Sequence, residues 1–139
     1  MSGIVNGKHS VTQLPATAGN VPFTYTVPEG AKQKFLYGHI KLTTNATVAD
    51  RRVIVSLYDS ADVLINDIHA GAVVAASQTN VHHDLMQGVY RETAFISNTL
   101  QVPVPIDWIA LSGYKFVVSI ENGQAGDSFS GAGCFESVQ

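Results

Sequence analysis

The stretch RRVIVSLYDSADVLI, residues 51–65, decides the fold class. In it Val53, Val55 and Leu57 alternate with residues that point the other way, which is the period of a half-buried β-strand. Turn residues follow at positions 59–62, and an apolar run resumes directly after them. The stretch therefore predicts a β-hairpin whose first strand buries its three alternating apolar residues.

Similar runs recur along the chain about every ten residues, with turn residues between them. The clearest, at residues 114–120, predicts that Phe116, Val118 and Ile120 form the core of a facing sheet. Apolar residues at helical spacing are missing from the sequence. Strands are predicted over residues 21–27, 35–43, 51–58, 63–65, 79–86, 93–102, 114–120 and 128–138, and residues 70–76 are predicted as a loop. About eight short strands indicate an all-β fold, an antiparallel β-sandwich with a jelly-roll-like arrangement.

The run at residues 35–43 also predicts which side chains share a face. Because strand residues alternate, the two faces are expected to differ in polarity. One face is predicted to hold Leu36, Gly38, Ile40 and Leu42, and the other Tyr37, His39 and Lys41. The first of these faces is therefore expected in the core.

Composition limits the possible functions. The chain has 139 residues and 14.8 kDa, 14% of its residues are charged, and its net charge is −3. This length suits one domain, and a surface of low charge suits contact with other protein. The acidic balance argues against nucleic-acid binding, and no apolar run reaches the ~18 residues of a membrane span. With one cysteine and no signal-peptide pattern, we expect synthesis in a reducing cytoplasm.

The segment Gly126–Ser130 contains a Gly-Asp-Ser sequence like the nucleophile block of GDS-type serine hydrolases. In those enzymes the block lies near the N-terminus and a D-x-x-H pair follows far downstream, whereas only a short segment follows Ser128. A serine nucleophile also requires a base and an oxyanion hole. We therefore predict a turn in which Asp127 binds nearby backbone amides, and no catalytic residue.

The histidine and aspartate residues do not predict a metal site. In His82-His83-Asp84, adjacent strand residues point to opposite faces, so only His82 and Asp84 share a side. Asp59 and Asp62 lack the regular spacing of a calcium loop and are predicted to form a turn. No metal ion and no other cofactor is predicted.

Three further residues have a structural interpretation. Trp108 follows a proline-rich stretch and is predicted as a core or rim anchor rather than a sugar-binding platform. Cys134 lies among apolar residues and is predicted to be an inert buried thiol. Asn45 begins an Asn-Ala-Thr glycosylation sequon, but no signal-peptide pattern supports its modification.

The order of these signals resembles small β-sandwich virion proteins of tailed bacteriophages, of the head decoration or cement type. The central element is residues 49–59, an A/G-D-R-R-V strand that ends in an Asp-led hairpin. The other elements of the resemblance are Gln78-Thr79, residues 100–105, residues 111–116 and Gly126-Asp127. Together they span residues 20–138.

This resemblance implies a structural virion protein and no enzyme activity. Such proteins sit on the capsid lattice in many copies, often as trimers, and brace the shell. The implied partners are the major capsid protein and further copies of the chain, as in a homotrimer. The implied location is the capsid surface of the virion, after synthesis in the host cytoplasm; neither nucleic acid nor a membrane is an expected partner.

An alternative function is host attachment. In that case the sandwich would be a carbohydrate-binding module associated with a phage tail, collar or fibre. The aromatic side chains of Tyr58, Tyr90 or Trp108 would then serve as stacking surfaces for sugars.

Residues 1–20 differ from the predicted sandwich domain at residues 21–139. Their apolar residues are too scattered to form a face of the sandwich, yet more numerous than a solvating tail needs. We therefore predict an extended N-terminal arm that is ordered across a neighbouring subunit. Its candidate partner-binding residues are Ile4, Val5, Lys8, Val11 and Leu14.

Deletion of residues 2–18 tests this arm. If the segment lies outside the sandwich, the truncated chain should keep its melting transition and bind its capsid more weakly. A truncated chain that fails to fold would instead identify the segment as a strand of the sandwich.

Overall fold

The structure is a computed structural model that describes residues 8–138, so Ile4 and Val5 of the predicted arm lie outside the described residues. The described residues form ten β-strands. Within this range no helix has the length and apolar character needed to cross a membrane. The strands are β1 (His9–Ala18), β2 (Phe23–Thr26), β3 (Gln33–Thr43), β4 (Arg52–Tyr58), β5 (Leu64–His69), β6 (Val81–Met86), β7 (Thr99–Pro103), β8 (Trp108–Ala110), β9 (Lys115–Glu121) and β10 (Ser128–Ser137).

The strands form two sheets with the hydrophobic core between them. The larger sheet has the order β1-β10-β3-β6-β7, with β8 paired to the start of β3, and the smaller sheet has the order β2-β9-β4-β5. The strand pairs of the described chain are antiparallel, except for the parallel pair β6–β7. The predicted antiparallel β-sandwich is therefore confirmed.

The hairpin predicted from residues 51–65 is formed by β4 and β5. In the smaller sheet, β4 is a central strand and β5 is an edge strand. Val53, Val55 and Leu57 are buried in the core, which confirms the predicted phase of β4. On the neighbouring strand β9, Phe116 and Ile120 are buried, and the partly buried Val118 packs against the same core. The loop predicted at residues 70–76 is also confirmed, with one isolated bridge to residue 51.

The predicted phase of β3 is correct in its second half and wrong in its first half. Phe35 pairs with Phe135 and Tyr37 pairs with Cys134, so Leu36 has no partner residue on β10. This β-bulge reverses the alternation, and Phe35 rather than Leu36 points into the core. A bulge adds one residue to a strand without changing its composition, so the apolar alternation alone did not reveal it.

Phe35 then joins an aromatic cluster that fills one end of the core. Its ring centroid lies 5.3–6.0 Å from those of Trp108, Phe116 and Phe135. Trp108 is buried, and its Nε1 donates a hydrogen bond to Oδ1 of Asn66 at 2.7 Å. The prediction of Trp108 as a core anchor is thus confirmed, although its three-residue strand β8 is too short to show alternation in the sequence.

Much of the predicted arm lies in the larger sheet. Residues 9–18 form the edge strand β1, which pairs with β10 along most of its length. Leu14 is buried in the core, whereas Val11 faces away from the smaller sheet. The sequence did not predict this strand, because an edge strand with a single buried apolar residue needs no regular apolar alternation. The partner-binding role of the segment stays a prediction.

The position of β1 changes the expected result of truncation. Deletion of residues 2–18 would remove β1 and expose the paired edge of β10, so we expect loss or marked lowering of the thermal transition measured by circular dichroism. Deletion of residues 2–7 is the matched control, because it keeps β1. Equal melting temperatures for the two truncated chains would show that β1 does not stabilise the sandwich.

A second prediction concerns the core. The Val55→Ala substitution removes buried methyl groups between the sheets and should lower the free energy of unfolding by about 1–3 kcal/mol. Val48 is 92% exposed in the β3–β4 loop, so Val48→Ala is a control of the same chemistry. Urea denaturation of both variants measures the difference, and equal effects would contradict the observed packing.

Candidate functional site

A buried ion pair lies at one end of the sandwich. Arg51 is 0% exposed and Asp127 is 2% exposed. The arginine Nε donates to Oδ2 of Asp127 at 3.0 Å, and Nη2 donates to Oδ1 at 3.2 Å. This two-pronged contact fixes the planes of both groups and joins the start of β4 to the start of β10.

The remaining hydrogen-bonding positions of the pair bind the surrounding loops. Asp127 accepts hydrogen bonds from the backbone N–H groups of Asn45 and Gln124, both at 2.8 Å. Arg51 donates to the backbone oxygen of Ala49 at 2.8 Å and to Oδ1 of Asn45 at 2.7 Å. The β3–β4 loop and the β9–β10 loop are therefore held by one network.

The turn between β1 and β2 also reaches this network. The backbone N–H of Gly19 donates to the backbone oxygen of Asp127 at 2.9 Å. The backbone of this turn lies against the backbone of Gly123. A Cβ at position 123 would be 1.9 Å from the backbone oxygen of Gly19, so only glycine fits there. Three connections thus meet at the ion pair.

In this geometry the Gly-Asp-Ser sequence forms a structural turn. Burial alone would raise the pKa of Asp127, but the hydrogen bonds from Arg51, Asn45 and Gln124 outweigh it and hold the pKa below the usual carboxyl range. Ser128 is exposed, and its partners in the sheet are a threonine and an alanine rather than a histidine. The predicted turn, with Asp127 bound to backbone amides, is confirmed.

The partnership of Arg51 with Asp127 was not predicted from the sequence. Arg51 stands at the start of a predicted strand, where an arginine is expected to be solvated, yet its side chain is completely buried. The one signal in the sequence was Asp127 itself, a charged residue in the turn directly before the run predicted as the last strand. An aspartate in that setting needs a buried cation or several amide donors, and it has both.

The other polar candidates are placed as follows. As predicted, His82 and Asp84 share one side of the strand. That side is the outer face of the larger sheet, and His83 points inward. Within residues 8–138, no group of three or more histidine, cysteine or acidic side chains is arranged to hold a metal ion. Asp59 Oδ1 accepts from the backbone of Ala61 and Val63 at 2.8 and 2.9 Å, so the predicted turn is confirmed.

The outer face of the larger sheet, which points away from the smaller sheet, carries an apolar patch. Val11 on β1, Cys134 on β10 and Tyr37 on β3 are adjacent in register. Val11 is 61% exposed and Tyr37 is 55% exposed, and the thiol of Cys134 is buried beneath them. We call these three residues the outer-face patch; it crosses the three strands nearest the β1 edge.

The outer-face patch lies next to a free strand edge. Within the described chain, β1 pairs with β10 only, so its second edge has backbone groups available for another strand. Of the predicted partner-binding residues, Lys8 and Val11 are exposed here, while Leu14 is in the core and is not available to a partner. An exposed edge beside apolar side chains is a typical protein-binding arrangement.

The aromatic residues considered for sugar binding do not form one surface. Trp108 is buried and bonded to Asn66, so its ring cannot stack on a ligand. Tyr58 is half-buried at the end of β4, in the smaller sheet. Tyr90 is 90% exposed in the β6–β7 loop, which belongs to the larger sheet.

Comparisons with known proteins give little beyond this geometry. No protein-family model and no curated protein matches the chain. One solved structure, "Structure of infectious bursal disease virus Gx strain", is similar with a TM-score of 0.34 and 10% sequence identity. The match covers 95% of this chain and 41% of that chain, and a TM-score this low does not establish a common fold or function.

Because of the buried ion pair, we expect Asp→Asn substitution to destabilise the fold far more at Asp127 than at an exposed aspartate. Asp127→Asn leaves Arg51 buried without its counter-charge and should cost about 3–5 kcal/mol of unfolding free energy. Asp62, whose exposed carboxylate pairs with Lys115, is the matched control, and Asp62→Asn should change stability little.

The same pair predicts a pH dependence with a definite sign. Because the pKa of Asp127 is lower in the folded than in the unfolded chain, its stabilisation is complete above the ordinary carboxyl range and is lost as the pH falls through the lowered value. Denaturant titrations across acidic pH measure this in the wild type and in Asp127→Asn. An acid dependence that is unchanged by the substitution would contradict the role of the pair.

Proposed function

We propose that this β-sandwich is a structural protein of a virus particle, specifically a head decoration or cement protein of a tailed bacteriophage. The observation that carries the proposal is the outer-face patch beside the free edge of β1. The resemblance of residues 49–59 and the later motifs to such proteins supports it independently. The proposed role is mechanical and requires no enzyme activity.

The proposed partner is the lattice of the major capsid protein. Val11 and Tyr37 offer apolar area on a face whose neighbouring β10 residues, Ser130 and Ala132, are small and uncharged. Burial of such area contributes roughly 25 cal/mol per Å², so one patch of this size gives a modest affinity. Many copies on a closed lattice, or a homotrimer of this chain, would multiply that contribution.

The edge of β1 would add directional contacts to this apolar area. Its free N–H and C=O groups can pair with a strand of a neighbouring subunit, and exposed Lys8 stands at its beginning. Ile4 and Val5 precede β1 in the sequence and remain proposed contact residues on sequence grounds alone. The proposed location is the capsid surface, as the resemblance to decoration proteins implies.

Substitution in the outer-face patch tests the proposal. Val11→Asp places a charge in the patch and should weaken binding to shells of the major capsid protein encoded in the same genome by about tenfold or more. Val48→Asp introduces the same change at a residue that is 92% exposed on a loop between the sheets' ends, and it should bind like the wild type. Co-sedimentation with the shells measures both.

Two results would overturn this function. The first is equal capsid binding by Val11→Asp and Val48→Asp, with both proteins folded by circular dichroism. The second is no binding to shells together with recognition of a glycan array that is lost in Tyr90→Ala. The latter would favour the host-attachment module, because Tyr90 is the most exposed of the three aromatic candidates.

A further inference from the structure

β6 carries histidines at two adjacent positions, one on each face of the larger sheet. On the outer face, Nδ1 of His82 lies 2.8 Å from Nε2 of His39 on β3. The ring centroids are 5.0 Å apart and the ring planes are inclined by 22°. Because the nitrogens are closer than two stacked ring faces can come, the rings meet edge to edge, as in an N–H···N hydrogen bond.

A hydrogen bond of this kind depends on the protonation of both rings. One imidazole donates its N–H and the other accepts through the lone pair of its facing nitrogen. If both facing nitrogens carry protons, no acceptor remains and two N–H groups oppose each other. The contact between His39 and His82 therefore persists only while at least one ring is neutral.

His83, on the inner face of the sheet, must also be neutral for the strand to stay packed. It is 0% exposed, and neither ring nitrogen has a hydrogen-bond partner among the described residues. The ring of Phe95, from the β6–β7 loop, packs against it at 87° with 5.4 Å between centroids. Burial lowers the pKa of His83 to about 4, and backbone groups of Val81 and Ile40 offset only part of this effect. A proton here would place a charge in the core.

Few charged groups surround these rings. Burial lowers the pKa of His39, Lys41 and His82 lower it further, and Asp84 on β6 opposes them. Glu92 lies in the β6–β7 loop, and its Oε1 accepts a hydrogen bond from the backbone N–H of Gln101 on β7 at 2.6 Å. The residues that face the outer-face rings from β7 and β10 are uncharged: Thr99, Gln101, Ser130 and Ala132.

We propose that His39, His82 and His83 form a proton-sensitive latch that holds β6 and β7 in the larger sheet at neutral pH and holds them less firmly on mild acidification. Strand β7 is the edge strand at the opposite side of the larger sheet from β1, and it pairs with β6. Whatever detaches β6 from β3 therefore detaches β7 and the β6–β7 loop as well. The latch acts within this chain and does not depend on the proposed capsid role.

Amide hydrogen exchange of the full chain at about pH 7.5 and about pH 5 tests the latch, after correction for intrinsic exchange. An unfolded histidine titrates near pH 6.5 and folded His83 near 4, so the opening equilibrium of residues 81–103 should rise about thirtyfold between these conditions. Strands β4 and β9 should keep their protection.

The variant His82→Gln/His83→Phe should lose this pH dependence, because neither replacement titrates. The control is His69→Gln on β5, a half-exposed histidine beside Asp67 that lies outside the latch, and it should behave like the wild type. The proposal is overturned if residues 81–103 respond equally in the double variant, or if all strands of the wild type lose protection together.

If the double variant does not fold, NMR of the wild-type protein still tests the latch. Nitrogen-15 NMR of the imidazole rings should show His83 neutral at pH values where free histidine is half protonated. An ordinary titration of His83 near pH 6.5 in the folded chain would overturn the latch.

Discussion

The buried pair of Arg51 and Asp127 is the constraint on which one whole end of the sandwich depends. Removing two charges from water costs several kcal/mol per ion, and the cost is offset only when geometry and further hydrogen bonds are complete. Here the carboxylate accepts from two side-chain and two backbone donors, and the guanidinium also binds two loop oxygens. The pair thereby holds three connections in a single arrangement at this end of the sandwich.

The parts of the fold that the sequence predicted are those governed by local alternation. Val53, Val55 and Leu57 repeat with the period of a strand, so their burial followed from neighbouring residues alone. The inward turn of Phe35, the short strand β8 and the edge strand β1 depend instead on pairing with distant residues, which alternation does not encode.

The candidate site shows the same division. The turn around Asp127 was predicted because an Asx-turn is a property of a few adjacent residues. The burial of Arg51 was not, because its partner is 76 residues away and an arginine at a strand end is normally solvated. The outer-face patch was missed for a related reason: Val11, Cys134 and Tyr37 become neighbours only when β1, β10 and β3 lie side by side.

Strand β1 is the first of the ten strands in the sequence and its partner β10 is the last, so the larger sheet can form completely only after all the other strands have been synthesised. The smaller sheet is similarly delayed, because β2 and β4 both pair with the late strand β9. A topology dominated by such distant pairings folds slowly, since the entropy of closing long loops is lost before the contacts form. Until β10 has been synthesised, Leu14 and both edges of β1 remain unpaired, and during that interval the nascent chain exposes the kind of strand edge and apolar surface that promote aggregation.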